Sequence, residues 1–305
     1  LPLVIDPVLW STFLGGNGAD YVYRIAADGS GNTYACGSTV NNTFPTLVGS
    51  YQTAYQGGAR DGFITKLNAT GTARVYSTFI GGSLDDVFRS IKVDALGNAY
   101  VTGDSYGGGY PTTIGSPAGG VDWVITKLNA AGNALVYSRY FGGGATEAAY
   151  DIAVDGSGNA YVTGHTYSND FSISGGCYQN VRNGLTDGVV CKLDGTGAMV
   201  YSTYIGGSND DYPVYCEVDG SGNIYLMGYA ASGYPTTGGA YQTAHAGGAG
   251  TDIVVTKMNT TGTGLVYSTY IGGTTQDLAF GIKLDASNNV LLCGSSEGNF
   301  PTTVG

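Results

Sequence analysis

Lys66, Lys127, Lys192 and Lys257 occupy one place in four copies of a pattern, in FITKLN, VITKLN, VVCKLD and VVTKMN. Each follows an aspartate at the head of the same segment: Asp61, Asp122, Asp187 and Asp252. A ring of ammonium groups could recruit an anion. An amine set between apolar residues must also find a counter-charge, because an unpaired buried charge is costly. Catalysis rarely needs identical groups around a ring, so the recurrence reads as one satisfied polar network repeated to fix a turn.

The other reactive side chains follow the same repeat. Acidic loops contain Asp20, Asp85–Asp86, Glu147, Asp210–Asp211 and Asp277. Clustered oxygens of this kind suit calcium, but none has the spacing of a known calcium loop. His165 and His245 are far apart and near no cysteine pair with zinc-ligand spacing. No G-x-S-x-G elbow is present, and no acid pair stands out for glycosidic work. The expectation is a protein without catalytic residues, metal or cofactor, and not an enzyme; a glycan-active enzyme is the less favoured alternative.

The best candidate for a binding surface is a long loop rich in aromatics. It brings Phe44, Tyr110, Phe171, Tyr234 and Phe300, most of them in F-P-T or Y-P-T-T, followed by Tyr51, Tyr178 and Tyr241, each before a glutamine. Aromatic faces beside amides and hydroxyls can stack on sugars or anchor a partner. The competing expectation is that these rings fold back as plugs over the sheet edge, since a loop this long needs packing of its own. The five cysteines, an odd number, exclude a fully paired framework. Cys36, Cys191, Cys216 and Cys293 replace Thr, Ile or Met of other copies and read as packing residues. Cys177 lies in a loop, and a Cys177–Cys191 bridge is left open.

These residues are carried by strands. VLWSTFLGG, RVYSTFIGG, LVYSRYFGG, MVYSTYIGG and LVYSTYIGG place an aromatic at Trp10, Tyr76, Tyr137, Tyr201 and Tyr267, a repeat of about 64 residues. Each repeat reads as four strands. The first ends in aspartate (RIAAD, SIKVD, DIAVD, YCEVD, GIKLD), and a Gly/Asn turn leads to a second such as NAYVTG. That is a hairpin signal. The lysine segment is the third strand and VYSTY the fourth. No sustained 3.6-residue apolar period appears, so helix is not expected.

Four antiparallel strands per repeat predict the blades of a β-propeller. The prediction is one all-β domain over 1–305 with five blades. Full blades span about 20–80, 86–141, 147–205 and 211–271. An N-terminal strand, 8–13, completes the blade formed by 278–305 and closes the ring, with LPLVID as a candidate third strand. Because the chain starts in mid-pattern with no visible signal peptide, it reads as a mature or excised piece.

The pattern D-x-x-G-N-x-Y-V-T-G, then F-P-T-T, A-Y-Q, T-K-L-N and L-V-Y-S-T-Y-I-G-G, resembles the SBBP β-propeller repeats from about Val8 to Thr303, and more distantly NHL-type blades. The family name implies seven blades, whereas this chain offers five. The resemblance implies a piece of a secreted or surface protein, often bacterial, and by analogy with NHL blades a channel lined by the strand that ends in aspartate.

Charge and composition fit that setting. The net charge of -11 and a charged share of only 11% disfavour nucleic acid and anionic membranes. No segment is long and apolar enough for membrane insertion as a helix. The expected role is a secreted or cell-surface binding or structural module. Its partners would be other extracellular proteins or copies of itself, with glycans as the lectin-like alternative.

Overall fold

The computed structural model describes residues 9–248 and 250–302. Eighteen strands and no helix are found among them, and hence no helix long and apolar enough to cross a membrane. The first sheet holds β1 (Asp20–Ala27), β2 (Thr33–Thr39), β3 (Asp61–Leu67) and β4 (Arg74–Ile80). The second holds β5 (Asp86–Val93), β6 (Ala99–Ser105), β7 (Asp122–Leu128) and β8 (Leu135–Phe141). The third holds β9 (Glu147–Val154), β10 (Ala160–Thr166), β11 (Asp187–Leu193) and β12 (Met199–Ile205). The fourth holds β13 (Asp211–Val218), β14 (Ile224–Ala230), β15 (Asp252–Met258) and β16 (Leu265–Ile271). A fifth sheet holds β17 (Asp277–Leu284) and β18 (Val290–Ser296). All pairings are antiparallel between sequence neighbours. The first strands β1, β5, β9, β13 and β17 touch in succession, so the sheets stack around a common centre.

Each hairpin is tied by its aspartate. Asp28 Oδ1 accepts the N–H groups of Ser30 and Asn32, both at 3.0 Å, and Gly31 supplies the positive φ of 80° that the turn needs. Sheet is joined to sheet by the tyrosine that follows: Tyr34 donates to Gly97 O, Tyr100 to Gly158 O and Tyr161 to Gly222 O, at 3.2–3.4 Å. Middle strands such as β6, β7 and β10 are buried along their whole length, because a neighbouring sheet covers each face.

The fourth-strand aromatic packs onto the turn of the next sheet. A Cβ on Gly132 would strike Tyr76, one on Gly197 would strike Tyr137, and one on Gly262 would strike Tyr201. Trp10 stands against Gly71 in the same way, so residues near Trp10 take the place of a fourth strand before the first sheet. The expected closing strand over 8–13 is nevertheless not formed in its described part, residues 9–13. Residues 9–13 have no ladder partner, and Leu9 and Phe13 are fully exposed. The outer edge of β18 has no strand partner among the described residues. Among the described residues no third strand stands between them for a fourth strand to pair with. Leu1–Asp6, the candidate third strand, lies outside the described residues.

Candidate functional site

The recurring lysines lie in the network that holds each hairpin, with a different partner from the expected one. Lys66 Nζ is 3.5 Å from Asp28, Lys127 3.8 Å from Asp94 and Lys257 3.2 Å from Asp219. These aspartates close the first hairpin of the same sheet; they are not Asp61, Asp122 or Asp252 at the head of the lysine strand. Each ammonium, that of Lys192 included, also lies 4.6–4.8 Å from the centre of a tyrosine ring: Tyr34, Tyr100, Tyr161 or Tyr225. Burial alone would raise the Asp28 and Asp219 carboxyls. Hydrogen bonds from Asn32 and Tyr34, and from Asn223 and Lys257, outweigh it and bring both down to about 2.

The loop aromatics are mostly inside the protein. Phe44, Tyr110, Phe171 and Tyr234 are buried. Phe44 packs 4.2 Å from Phe63 and Phe171 5.2 Å from Trp123. The hydroxyls of Tyr110 and Tyr234 bond to Thr126 and Thr256. Their faces are filled by protein, so these four rings cannot stack on a ligand. Tyr51, Tyr178 and Phe300 are half-buried, and Tyr241 alone of the eight is well exposed, at 73%. The loop is plugged by the very residues that suggested a surface.

What does face open space is the centre. A cavity of about 660 Å³ is lined by β1, β5, β9, β13 and β17, with Leu291, Leu292 and Cys293 of β18. Each of the five inner strands carries one bulged residue, at Tyr23, Arg89, Tyr150, Val214 and Phe280. A bulge re-aims the residues beside it. The residue after each bulge is Arg24, Ser90, Asp151, Tyr215 or Gly281, and two positions further come Ala26, Lys92, Ala153, Glu217 and Lys283. No two blades present the same pair. The residues that pair with these strands are close repeats, whereas the channel positions are not.

Electrostatics in the channel are asymmetric. Asp151 is buried and accepts bonds from Ser90 Oγ (2.5 Å), Ile152 N (3.0 Å) and Cys216 N (3.1 Å). Burial raises its carboxyl, against the pull of Lys92. Glu217 accepts from Lys92 at 3.3 Å and from Lys283. Burial would lower the Lys92 ammonium, but Glu217 and Asp151 raise it instead. The guanidinium of Arg24 lies 5.1 Å from the centre of the Tyr215 ring and has no ion-pair partner among the described residues. Three cations thus meet two anions.

Around the bulges of the inner strands the side chains are aromatic. Tyr21 and Tyr23 are exposed and stack at 6.2 Å; Tyr212 lies 5.2 Å from Tyr229 and from His165, and Tyr150 5.3 Å from His165. Burial lowers His165 to about 4, so it is a neutral ring at ordinary pH. Arg89 pairs with buried Asp104, which also accepts Ala149 N at 3.0 Å. Arg24, Arg89, Asp151 and Tyr215 escape notice in the sequence because each stands inside a strand that otherwise repeats. The usable signal was the variation itself: Arg24, Ser90, Asp151, Tyr215 and Gly281 fill one slot with five chemistries.

All five cysteines are free; Cys36, Cys191 and Cys216 are buried, Cys177 half-buried and Cys293 exposed. Among the described residues no group of three or more His, Cys, Asp and Glu side chains could hold a metal ion.

Four-stranded antiparallel sheets set side by side around a lined centre define a β-propeller type of protein. The family model SBBP, a beta-propeller repeat, matches residues 9–45, 75–111 and 136–172, so the chain carries repeats of the SBBP β-propeller family. No curated protein matches. Similar solved structures include a gluconolactonase from Xanthomonas campestris, 13% identical, covering 88% of this chain and 68% of that one with a TM-score of 0.44. Hydrazine synthase from Kuenenia stuttgartiensis is 10% identical over 95% and 76%, with a TM-score of 0.38. An apocarotenoid oxygenase from Synechocystis is 12% identical over 92% and 82%, with a TM-score of 0.31. Scores this low transfer no activity to this chain. They do correct one expectation: similar structures include enzymes, so reading this chain as a non-enzyme is withdrawn.

Proposed function

We propose that the chain is a binding module of a secreted or cell-surface assembly, built of five blades and taking its ligand at the mouth of the central channel. One observation carries this reading: the side chains that differ from blade to blade gather around the cavity. A repeat that served only as scaffold would have no reason to diversify there. Exposed tyrosine rings around the bulges, with Arg24 unpaired and cations in excess, fit an anionic ligand with a ring face, of which an acidic saccharide is the nearest chemistry. The loop-based lectin reading has only Tyr241 fully available and is not favoured.

An array of carboxylated, sulfated and neutral oligosaccharides, probed with the purified chain, tests the idea. Acidic probes should bind, and Arg24→Ala or Tyr23→Ala should lower the signal about tenfold, as the loss of one charged or stacking contact does. Tyr241→Ala should leave it unchanged. Failure of every probe to bind, or loss of binding in Tyr241→Ala alone, would overturn the channel assignment.

A further inference from the structure

Each of the first three junctions between consecutive sheets buries two acids. The third strand of one sheet opens with Asp61, Asp122 or Asp187, and the next sheet opens with Asp86, Glu147 or Asp211; all six are fully buried. In Glu147 and Asp187 both oxygens accept hydrogen bonds, from Gly143 N, Thr166 and Ser168 and from Asn183 N, Gly184 N and Gln179; in the other four one oxygen closes a local loop. Gln56 N donates to Asp61 Oδ2 (2.8 Å), Gly82 N to Asp86 Oδ2 (2.7 Å), Ala118 N to Asp122 Oδ2 (2.8 Å) and Gly207 N to Asp211 Oδ2 (2.6 Å). The other oxygen of these four, Oδ1, is sealed from solvent and has no hydrogen-bond partner among the described residues.

At the second and third junctions the two acids of a pair meet at the Gly-Gly step that leads from sheet to sheet; at the first, Asp61 lies at Gly81 and Asp86 accepts from the N–H of Gly82. A Cβ on Gly206 would lie 2.8 Å from Asp211 Oδ2 and 3.1 Å from Asp187 Oδ2. One on Gly142 would collide with both Asp122 Oδ1 and Glu147 Oε2, and one on Gly81 would lie 2.7 Å from Asp61 Oδ1. Two carboxylates this close in a dry site cannot both be ionised. An oxygen with no donor costs about as much as a lost hydrogen bond, unless the second acid itself becomes the donor.

We propose that the pairs Asp61–Asp86, Asp122–Glu147 and Asp187–Asp211 each hold one proton between them. The seating of sheet on sheet is then a pH-dependent contact, tight in acid and looser as the pH rises.

The electrostatic surroundings support this. Burial, with the facing acid adding to it, raises Asp86 to about 7 and Asp211 to about 8. Burial likewise raises Asp61 and Asp122 to about 6, with Asp85 and Glu147 the acids that add to it, and it raises Asp187 against the N–H groups of Asn183 and Gly184. Ser105, whose hydroxyl pairs with Tyr140, lowers Asp86 only in part. Asp85 and Asp210 in the connecting loops push the same way as the facing acids. The cations facing these sites are Arg60, 3.5 Å from Asp85, and Arg182, which opposes the rise at Asp187. Tyr55, Tyr110, Tyr140, Tyr204, Tyr234 and Tyr270 face the acids as neutral phenols. A pair offers too few oxygens for calcium, which takes six to eight. The fourth junction buries Asp252 and Asp277 in the same way, and there the His245 ring stands beside the first of them, with Nε2 3.5 Å from Asp252 Oδ1.

Because these carboxyls are raised on folding, the folded chain binds extra protons between about pH 4 and about pH 8. Their contribution is complete below that window, is lost through it, and does not change above it. Thermal melts of the whole chain in EDTA should therefore show a melting temperature lower at pH 8 than at pH 5, by on the order of 5 °C. In Asp86→Asn/Asp211→Asn the carboxamides donate at every pH, and the difference should shrink. A wild-type melting temperature that is flat or rises over this range overturns the proposal. So does recovery at pH 8 on adding calcium chloride, which would make the pair a metal site. If the variant fails to fold, infrared spectra of the wild type decide: the carbonyl band of a protonated carboxyl should persist at pH 6.5, and its absence overturns the sharing.

Discussion

At the scale of single residues, the same types serve two purposes here, and position separates them. Lys127 repeats because its ammonium joins Asp94 and the Tyr100 ring, holding the hairpin from behind. Lys92 has no lysine at the same place in the next two repeats and faces the channel. Lys127→Met should leave Asp94 without its cation in a buried setting. The expected loss is about 1–3 kcal/mol of stability, read by urea denaturation, with ligand capture by the channel unchanged in chain that remains folded. Lys92→Met should do the reverse and weaken probe binding while shifting the denaturation midpoint little, since Lys283 still pairs with Glu217. Equal effects of the two substitutions on stability would contradict this division.

At the scale of elements, the unit is a hairpin pair whose turns reach into the neighbouring sheet. Gly132 has a φ of 71° and lies against the ring of Tyr76, so the β7–β8 turn is both left-handed and in contact across the junction. Gly132→Ala meets both obstacles. The backbone term alone is about 1–2 kcal/mol, and the Tyr76 ring must also move. A fall in melting temperature should follow, whereas Gly156→Ala, with nothing within 4 Å of its new Cβ, should change it little. The turns were legible because Asp, Gly and Asn recur at fixed offsets. The loop aromatics were not, because an F-P-T sequence is the same whether its ring turns outward or inward. Phe63 and Phe79, which receive Phe44, and Trp123, which receives Phe171, stand on strands outside those loops.

For the whole molecule, the side without sheet pairing among the described residues lies between β18 and the N-terminal segment. Leu291 and Leu292 are exposed on β18, as is Ile25 on β1, and an unpaired edge next to apolar side chains invites association. Trp10 is already in the place of a fourth strand. Five-blade closure therefore predicts that deletion of residues 1–16 causes aggregation in light scattering and a large drop in melting temperature. Removal of residues 302–305 should matter much less. A shortened chain that stayed monomeric and melted like the parent would instead place these sheets in a larger ring or an open array.

The sequence by itself determined the strands, their turns and their antiparallel order. These depend on neighbours within a few tens of residues, and each was written four or five times over. It also marked Lys66, Lys127, Lys192 and Lys257 as structural, since a group that recurs in each four-stranded sheet serves each of them alike. Only the tertiary structure decided which acids Lys66, Lys127 and Lys257 meet, which aromatics are sealed, and that Arg24, Asp151, Tyr215 and Glu217 share one cavity. Those facts come from the angle at which one sheet sits on the next and from bulges that rotate a side chain toward the centre. Neither leaves a mark in the spacing of residues along a single strand.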